Sequence, residues 1–376
     1  MPVLSHQTLL RIYGGVSPLI TADTALCDDQ IQMASIDLSL KGPVYGMRAS
    51  GLPRRGETVR SRIDASAKTG YTFNLTGEDK LLSRRQTYII PLNEGLKLPP
   101  GFAARFSPKS STGRVDVLAR ILADGIPHFD SVPAEGYRGP LYLEVTPLSC
   151  DILLRSGQSL MQMRLRQGDS LVSANDLVTL QAEKGIVWGK DGKPIAPEKL
   201  SLAEHGLYMH VDLDRDIVGF MARDPILAEL SFAKSDFYDP YDFWEPITRP
   251  KGGSIVLNPG RFYLLATKER VKVPSNICGD IAAYDASTGE FRTHYAGFFD
   301  PGFGGSKPED RGTVGVMEVR GREIPFELQD NQPVCRMDFQ WLDEVPNRLY
   351  GAGNNYTGEQ PSLGKFFRNR QEIWQD

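Results

Sequence analysis

The sequence predicts a mainly β protein, two tandem copies of a jelly-roll-like β barrel with few short helices. Three observations predict it. Motifs recur in the same order about 175 residues apart, short apolar runs are bounded by Gly, Pro and Asn, and the 376 residues include 37 Gly and 26 Pro. Gly and Pro at that density favour short strands and tight turns over long helices. The length allows two domains of ordinary size.

The repeat rests on five matches. Ser35-Ile36-Asp37-Leu38 corresponds to His210-Val211-Asp212-Leu213, and Leu96-Lys97-Leu98-Pro99 to Val271-Lys272-Val273-Pro274. Ser111-Thr112-Gly113 returns as Ser287-Thr288-Gly289, Leu143-Glu144-Val145 as Met317-Glu318-Val319, and Gln158 as Gln332. Each pair is 174 to 176 positions apart. One tetrapeptide match is chance; five in order indicate duplication. The domains are placed at 1–190 and 191–376, the second ending in a tail.

In the first copy TYIIPL, GFAARFS, LYLEVTPL and LMQMRL read as strands, alternating or fully apolar and bounded by turn residues. SIVL, FYLLAT, VGVMEV and VCRMDF repeat the pattern in the second. Short strands at such spacing indicate an antiparallel barrel or sandwich. The stretch DPILAELSFAKSDFYDPYDFWEPI departs from it. Its first part is expected to be a short helix and DPYDFWEP an aromatic loop. That loop lacks the interleaved cations of a nucleic-acid stacking surface, so packing between the copies is expected.

A formal net charge of −4 argues against a nucleic-acid surface but leaves a nucleotide open, since a small anion needs only a local cluster of cations. No apolar run has membrane-spanning length, and MPVLSHQTLLRIYGG lacks a signal-peptide pattern. Cys27, Cys150, Cys278 and Cys335 form no C-x-x-C pair. Such thiols are expected to be buried and reduced, in a cytoplasmic protein.

SPKSSTGR, residues 107–114, offers hydroxyls, a glycine and two cations between two strand-like runs. It reads either as a turn or as a polyphosphate cradle. Taken in order, the motifs resemble the dCTP deaminase branch of the dUTPase-like superfamily. QMASIDLSL resembles its opening strand, KSSTGR its phosphate loop and VLNPGRFYLLATKERVKVPSNICGDI the run into that loop. HYAGFFDPGFGG is similar to its nucleoside hairpin, YLEV and VMEV to the strand bearing the catalytic glutamate, and NYTGEQPSLGKFF to its closing tail.

The resemblance implies a distorted dUTPase-like β barrel, a trimer with active sites between subunits, and a glutamate that activates water against C4 of dCTP. Ammonia leaves and dUTP remains; some members go on to dUMP. Mg2+ travels with the triphosphate and no zinc is used. The residues agree independently: no histidine begins an H-x-E and no C-x-x-C is present, so the zinc signature of cytidine deamination is missing. A carboxylate must then serve as acid and base, held on a rigid, partly buried strand. Glu144 and Glu318 both fit; a half-exposed structural glutamate is the alternative.

By the same resemblance Lys109, Ser110, Ser111, Thr112, Gly113 and Arg114 hold the triphosphate, with Ser110 and Arg114 also ordering the catalytic water. Asp130 and Tyr142 of the first copy, and Ala296, Asp300 and Val316 of the second, are the nucleoside contacts. Tyr350, Tyr356, Glu359 and Gln360 fall where the family closes its tail over the nucleotide. A surface tail without a role is the alternative there, and Asn355 stands in place of the expected lysine, with Lys365 or Arg368 as substitutes.

The copies have diverged in opposite places. Opposite KSSTGR the second copy has Asp285, Ala286 and Glu290, which would repel a triphosphate. It keeps the better hairpin, Ala296 to Gly302, whereas in the first copy only Asp130 and Gly136-Tyr137-Arg138-Gly139 remain recognisable. Two arrangements stay open: a composite of Lys109–Arg114 with Ala296, Asp300 and Glu318, or a first-copy site with Glu144 as base. Arg54, Arg55, Arg60 and Arg62 read as a solvated loop face, and His128 and His294 as structural. The expected activity is dCTP deamination supplying thymidylate synthesis, by a closed homo-oligomer, trimer or dimer, with no nucleic-acid or membrane partner. A dUTPase and a non-catalytic nucleotide-binding protein are the rivals.

Overall fold

The computed structural model describes residues 2–282, 289–293, 297–305, 307, 309–351, 356 and 360–374. The chain forms two compact units, Met1–Ser170 with Leu227–Ser235, and Leu171–Ile226 with Asp236–Asp376.

In the first unit a mixed-length sheet runs in the order Ala67–Asn74, Pro43–Met47, Thr87–Leu98, Tyr137–Pro147, Val117–Ala123, with Ile20–Ala22 added to Thr87–Leu98. A second sheet runs Ile36–Ser39, Ser159–Gln167, Phe102–Pro108, Ser131–Val132. The second unit repeats both orders strand for strand. Its larger sheet is Trp244–Thr248, Ile217–Ala222, Phe262–Val271, Thr313–Gly321, Phe291–Thr293, with Val187–Trp188 on Phe262–Val271. Its smaller sheet is Gly206–His210, Pro333–Trp341, Ile277–Ala282, Phe298–Phe299. The duplication read from five short matches therefore extends to the strand order of both larger sheets, and each of the eight expected strands lies inside an observed one to within a residue at its ends.

Alternation explains where the glutamates go. In Tyr137–Pro147 Leu141, Leu143 and Val145 project to one face of the pleat and Tyr142, Glu144 and Thr146 to the other. From Leu143 onward every residue is buried, so both faces are covered and the glutamate lies inside the unit. Thr313–Gly321 places Val314, Val316 and Glu318 on one face in the same way. Among the described residues the α-helical pieces are His6–Gly14, Val59–Ser66, Ala174–Lys184 and the single turn Ser110–Gly113. None is long and apolar enough to cross a membrane.

Four expectations are corrected. The division falls after Ser170, not at 190, because Leu177 and Leu180 of the helix Ala174–Lys184 join Ile186 and Val187 in the second unit's core. The start of the DPILAEL stretch is not helical. Leu230–Ser231 pairs in parallel with Ile152–Leu153 of the first unit, and Ser231 donates to Asp79. The aromatic loop packs on the second unit's own tail: Tyr238 meets Phe243, and Phe243 and Trp244 meet Phe367. Cys27 is exposed; the other three cysteines are buried.

Candidate active site

In the first unit the 107–114 segment leaves a strand and closes into one helical turn. The Lys109 amide and the Thr112 hydroxyl both donate to the Leu160 carbonyl, at 2.9 and 3.0 Å, and Arg114 N donates to Ser110 O. Ser111, Thr112, Gly113 and Arg114 are buried, while Lys109 and Ser110 are half-exposed. The Lys109 ammonium is paired with Asp37 of the opening strand. A cation facing a nearly buried carboxylate holds the fold as well as any ligand. In the second unit, where the loop lysine has become Asp285, the equivalent Asp212 takes Lys190 at 3.0 Å and Arg215 at 3.6 Å instead.

Glu144 is only 2% exposed. Its Oε1 accepts from Ser50 Oγ at 2.7 Å and from Arg120 at 3.2 Å, and its Oε2 from the Gly51 amide at 3.2 Å. Arg120 stands directly across the ladder from it and stacks 3.9 Å from the Phe129 ring. Neither Ser50 nor Arg120 is among the residues selected from the sequence. The available signal was a lone arginine in the apolar run VLARILA, which calls for a buried carboxylate partner. Tyr142, two residues earlier, packs half-buried against the cluster of Met47, Val59, Ile63, Ile89 and Leu122. Burial raises its phenol above the ordinary value.

Asp130 turns the hairpin with φ +58°, and its Oδ1 accepts the Ile121 amide at 2.7 Å. The residue is half-buried, yet its carboxyl is enclosed, and this desolvation pushes its pKa up to about 7. The native state then keeps a proton that the unfolded chain releases between 3.8 and about 7, so this group's contribution to stability falls as pH rises through that window. Asp130→Asn keeps the acceptor and tolerates positive φ. It should flatten the decline in Tm between pH 4 and 8 by on the order of 2–4 °C, as scanning calorimetry of both proteins would show. An unchanged slope would contradict the assignment.

The second unit builds a different constellation. Glu318 is 2% exposed and lies across from Leu264, whose other neighbour is Phe220. Asp300 is buried at the hairpin turn, where its carbonyl accepts from Phe303 N. The tail docks on this turn. Tyr350 N donates to Pro301 O at 2.9 Å, and the Tyr350 ring lies 5.5 Å from Phe303, which meets Phe299 edge-on. A β-carbon on Gly302, at φ +91°, would come within 3.0 Å of the Tyr350 backbone, so the contact requires glycine. The Tyr350 hydroxyl reaches the Tyr356 carbonyl at 3.3 Å. Val316 is half-buried on the glutamate's face, and Gln360 accepts from Arg215 at 3.0 Å. Ala296, His294, Glu359 and the segment from Asp285 to Thr288 lie outside the described residues. The hairpin, the tail tyrosines and a buried strand glutamate thus all belong to the second unit.

Among the described residues no group of three or more His, Cys, Asp or Glu side chains is placed to hold a metal ion.

Two family models match the chain. One, described as the 2'-deoxycytidine 5'-triphosphate deaminase N-terminal domain, covers residues 2–169, and the C-terminal domain of the same description covers 173–367. A solved structure titled 2'-deoxycytidine 5'-triphosphate deaminase from Agrobacterium tumefaciens is 32% identical, with a TM-score of 0.81 over 91% of this chain and 99% of that one. A Methanobrevibacter smithii protein named "dCTP deaminase, dUMP-forming" is 28% identical over 118 residues, 31% of this chain and 57% of its own length. A Haloarcula marismortui "dCTP deaminase" is 28% identical over 136 residues, 35% of this chain and 66% of its own.

Proposed function

The chain belongs to the dCTP deaminase family, and we propose that it hydrolyses dCTP to dUTP and ammonia, with Glu318 as the acid–base residue. One observation carries the choice of Glu318: the second unit gathers the hairpin aspartate, the docked tail and a buried strand glutamate. In the proposed reaction a water oxygen bonds to C4 of the cytosine as the C4–N3 double bond opens, and Glu318 relays one water proton to N3. Glu318 then relays the proton of the new C4 hydroxyl to the exocyclic amine, the C4–N4 bond breaks as the C4 carbonyl forms, and ammonia leaves.

Asp300 is assigned to the sugar 3'-hydroxyl, and Val316 and Tyr350 to packing on the nucleoside. Lys109 to Arg114 are assigned to the triphosphate, which brings magnesium as part of the substrate. A closed homo-oligomer is proposed, since such interfaces are symmetric by default. The four cysteines, none in a disulfide, fit a reducing compartment, and the cytoplasm is the proposed location.

A second reading, release of dUMP, is favoured by the names of shorter relatives such as the Methanobrevibacter smithii protein. Separating the nucleotides after incubation with dCTP and magnesium tests both. Accumulating dUTP supports the proposal, dUMP with pyrophosphate the second reading, and consumption of added dUTP without ammonia from dCTP would leave a dUTPase.

A further inference from the structure

The second unit contains a cavity of about 320 Å³ that the proposed chemistry does not use. Lys190, Arg215, Arg249, Lys268 and Arg270 line it, against Asp214 and Asp216. Asp212 and Asp330 stand behind two of these cations, Asp212 at 3.0 Å from Lys190 and Asp330 at 2.8 Å from Lys268. The remaining carboxylates hold their partners loosely. Arg249 meets Asp214 at 2.9 Å and Asp216 at 3.2 Å, but these carboxylates are 64% and 81% exposed. Exposed pairs of this kind are weak and exchange readily for a stronger anion.

The floor supplies a second, independent observation. Trp374 is 3% exposed and lines the cavity, yet its indole Nε1 is buried with no hydrogen-bond partner among the described residues. The Nε of Arg215 is in the same condition. Buried donors without acceptors are costly, and a ligand rich in anionic oxygens would satisfy both while meeting the cations. The sequence gives a reason for such a site here, because this copy's own phosphate loop has lost its cations to Asp285 and Glu290. Val314, also in the lining, shares a strand face with Val316 and Glu318. At ~3.3 Å per residue the cavity lies roughly 13 Å along that face from the glutamate.

We propose that this cavity binds an oligophosphate group, through Arg215, Arg249, Lys268, Arg270 and the Trp374 indole, independently of the Lys109–Arg114 loop. Inorganic tripolyphosphate is the probe, so the result does not depend on deamination. The full chain, labelled with 15N at its four tryptophan indoles, is titrated in low salt and the indole resonances are followed. The resonance absent from Trp374→Phe, which keeps a ring against Phe220, is expected to shift. Arg249→Ala and Arg270→Ala are each expected to weaken binding tenfold or more. Arg114→Gln in the first unit's loop is expected to leave that shift intact. Binding lost in Arg114→Gln but unaffected by Arg249→Ala and Arg270→Ala would overturn the proposal. So would a Trp374 resonance that never moves. Shifts of equal size with sulfate at the same ionic strength would reduce the cavity to a general anion patch and equally overturn it. Thermal unfolding of each variant separates lost binding from lost fold.

Discussion

Glu318→Gln is expected to lower the rate of ammonia release from dCTP by ~10²–10⁴-fold, the usual share of a positioned acid–base group. Glutamine matches the side chain in size and keeps an acceptor oxygen, so the strand pairing around Leu264 and Phe220 should hold. Glu144→Gln should do the reverse. It weakens the bond to Arg120 inside the first unit, lowers Tm and leaves turnover within a few-fold of the parent. Loss of turnover in Glu144→Gln alone would return the base to the first unit and reject the assignment made here. The pair is informative because both glutamates sit at the same place in a repeated topology and are equally buried.

Phe367→Ala is expected to undock the C-terminal tail. Phe367 is fully buried, 5.2 Å from the Phe243 ring and 6.1 Å from Trp244. Backbone bonds join the same segment to the aromatic loop, from Asp236 N to Lys365 O and from Phe237 N to Phe366 O. Truncating a buried phenylalanine costs roughly 3–5 kcal/mol, and ~3 kcal/mol already shifts a docking equilibrium more than a hundredfold. Amide exchange in 363–374 should therefore accelerate by about that factor, with core strands such as Phe262–Val271 little changed. Because Tyr350 anchors the tail separately at the Pro301 turn, affinity for dCTP should fall while some turnover persists at saturation. Unchanged protection in 363–374 would mean that the aromatic contacts do not hold the tail.

Much of this was legible in the sequence, for physical reasons. Strands declare themselves through alternation and turn residues, and a duplicated topology leaves its spacing in whatever residues each copy still needs. Asp37 and Asp212 show why: each is a buried carboxylate that must keep a cation, even though the cation comes from Lys109 in one unit and from Lys190 and Arg215 in the other. That exchange was not legible, because it depends on which distant side chains the fold brings together. Arg120 was missed for the same reason: its role follows from ladder register with Glu144, which no local pattern fixes. The strand Leu230–Ser231 was misread as helix because a short apolar run has no period of its own, and its pairing with Ile152–Leu153 is a tertiary choice. Glu359 and Ala296, legible as motif positions, lie outside the described residues.

The most direct test of the central claim is ammonia release from dCTP and magnesium by the purified chain after removal of zinc with a chelator selective for it. Ammonia is expected in stoichiometric yield with uracil nucleotide, undiminished by zinc removal and slowed ~10²–10⁴-fold by Glu318→Gln. Ammonia that disappears with zinc, or no ammonia from dCTP under conditions in which dUTP is hydrolysed, would contradict it.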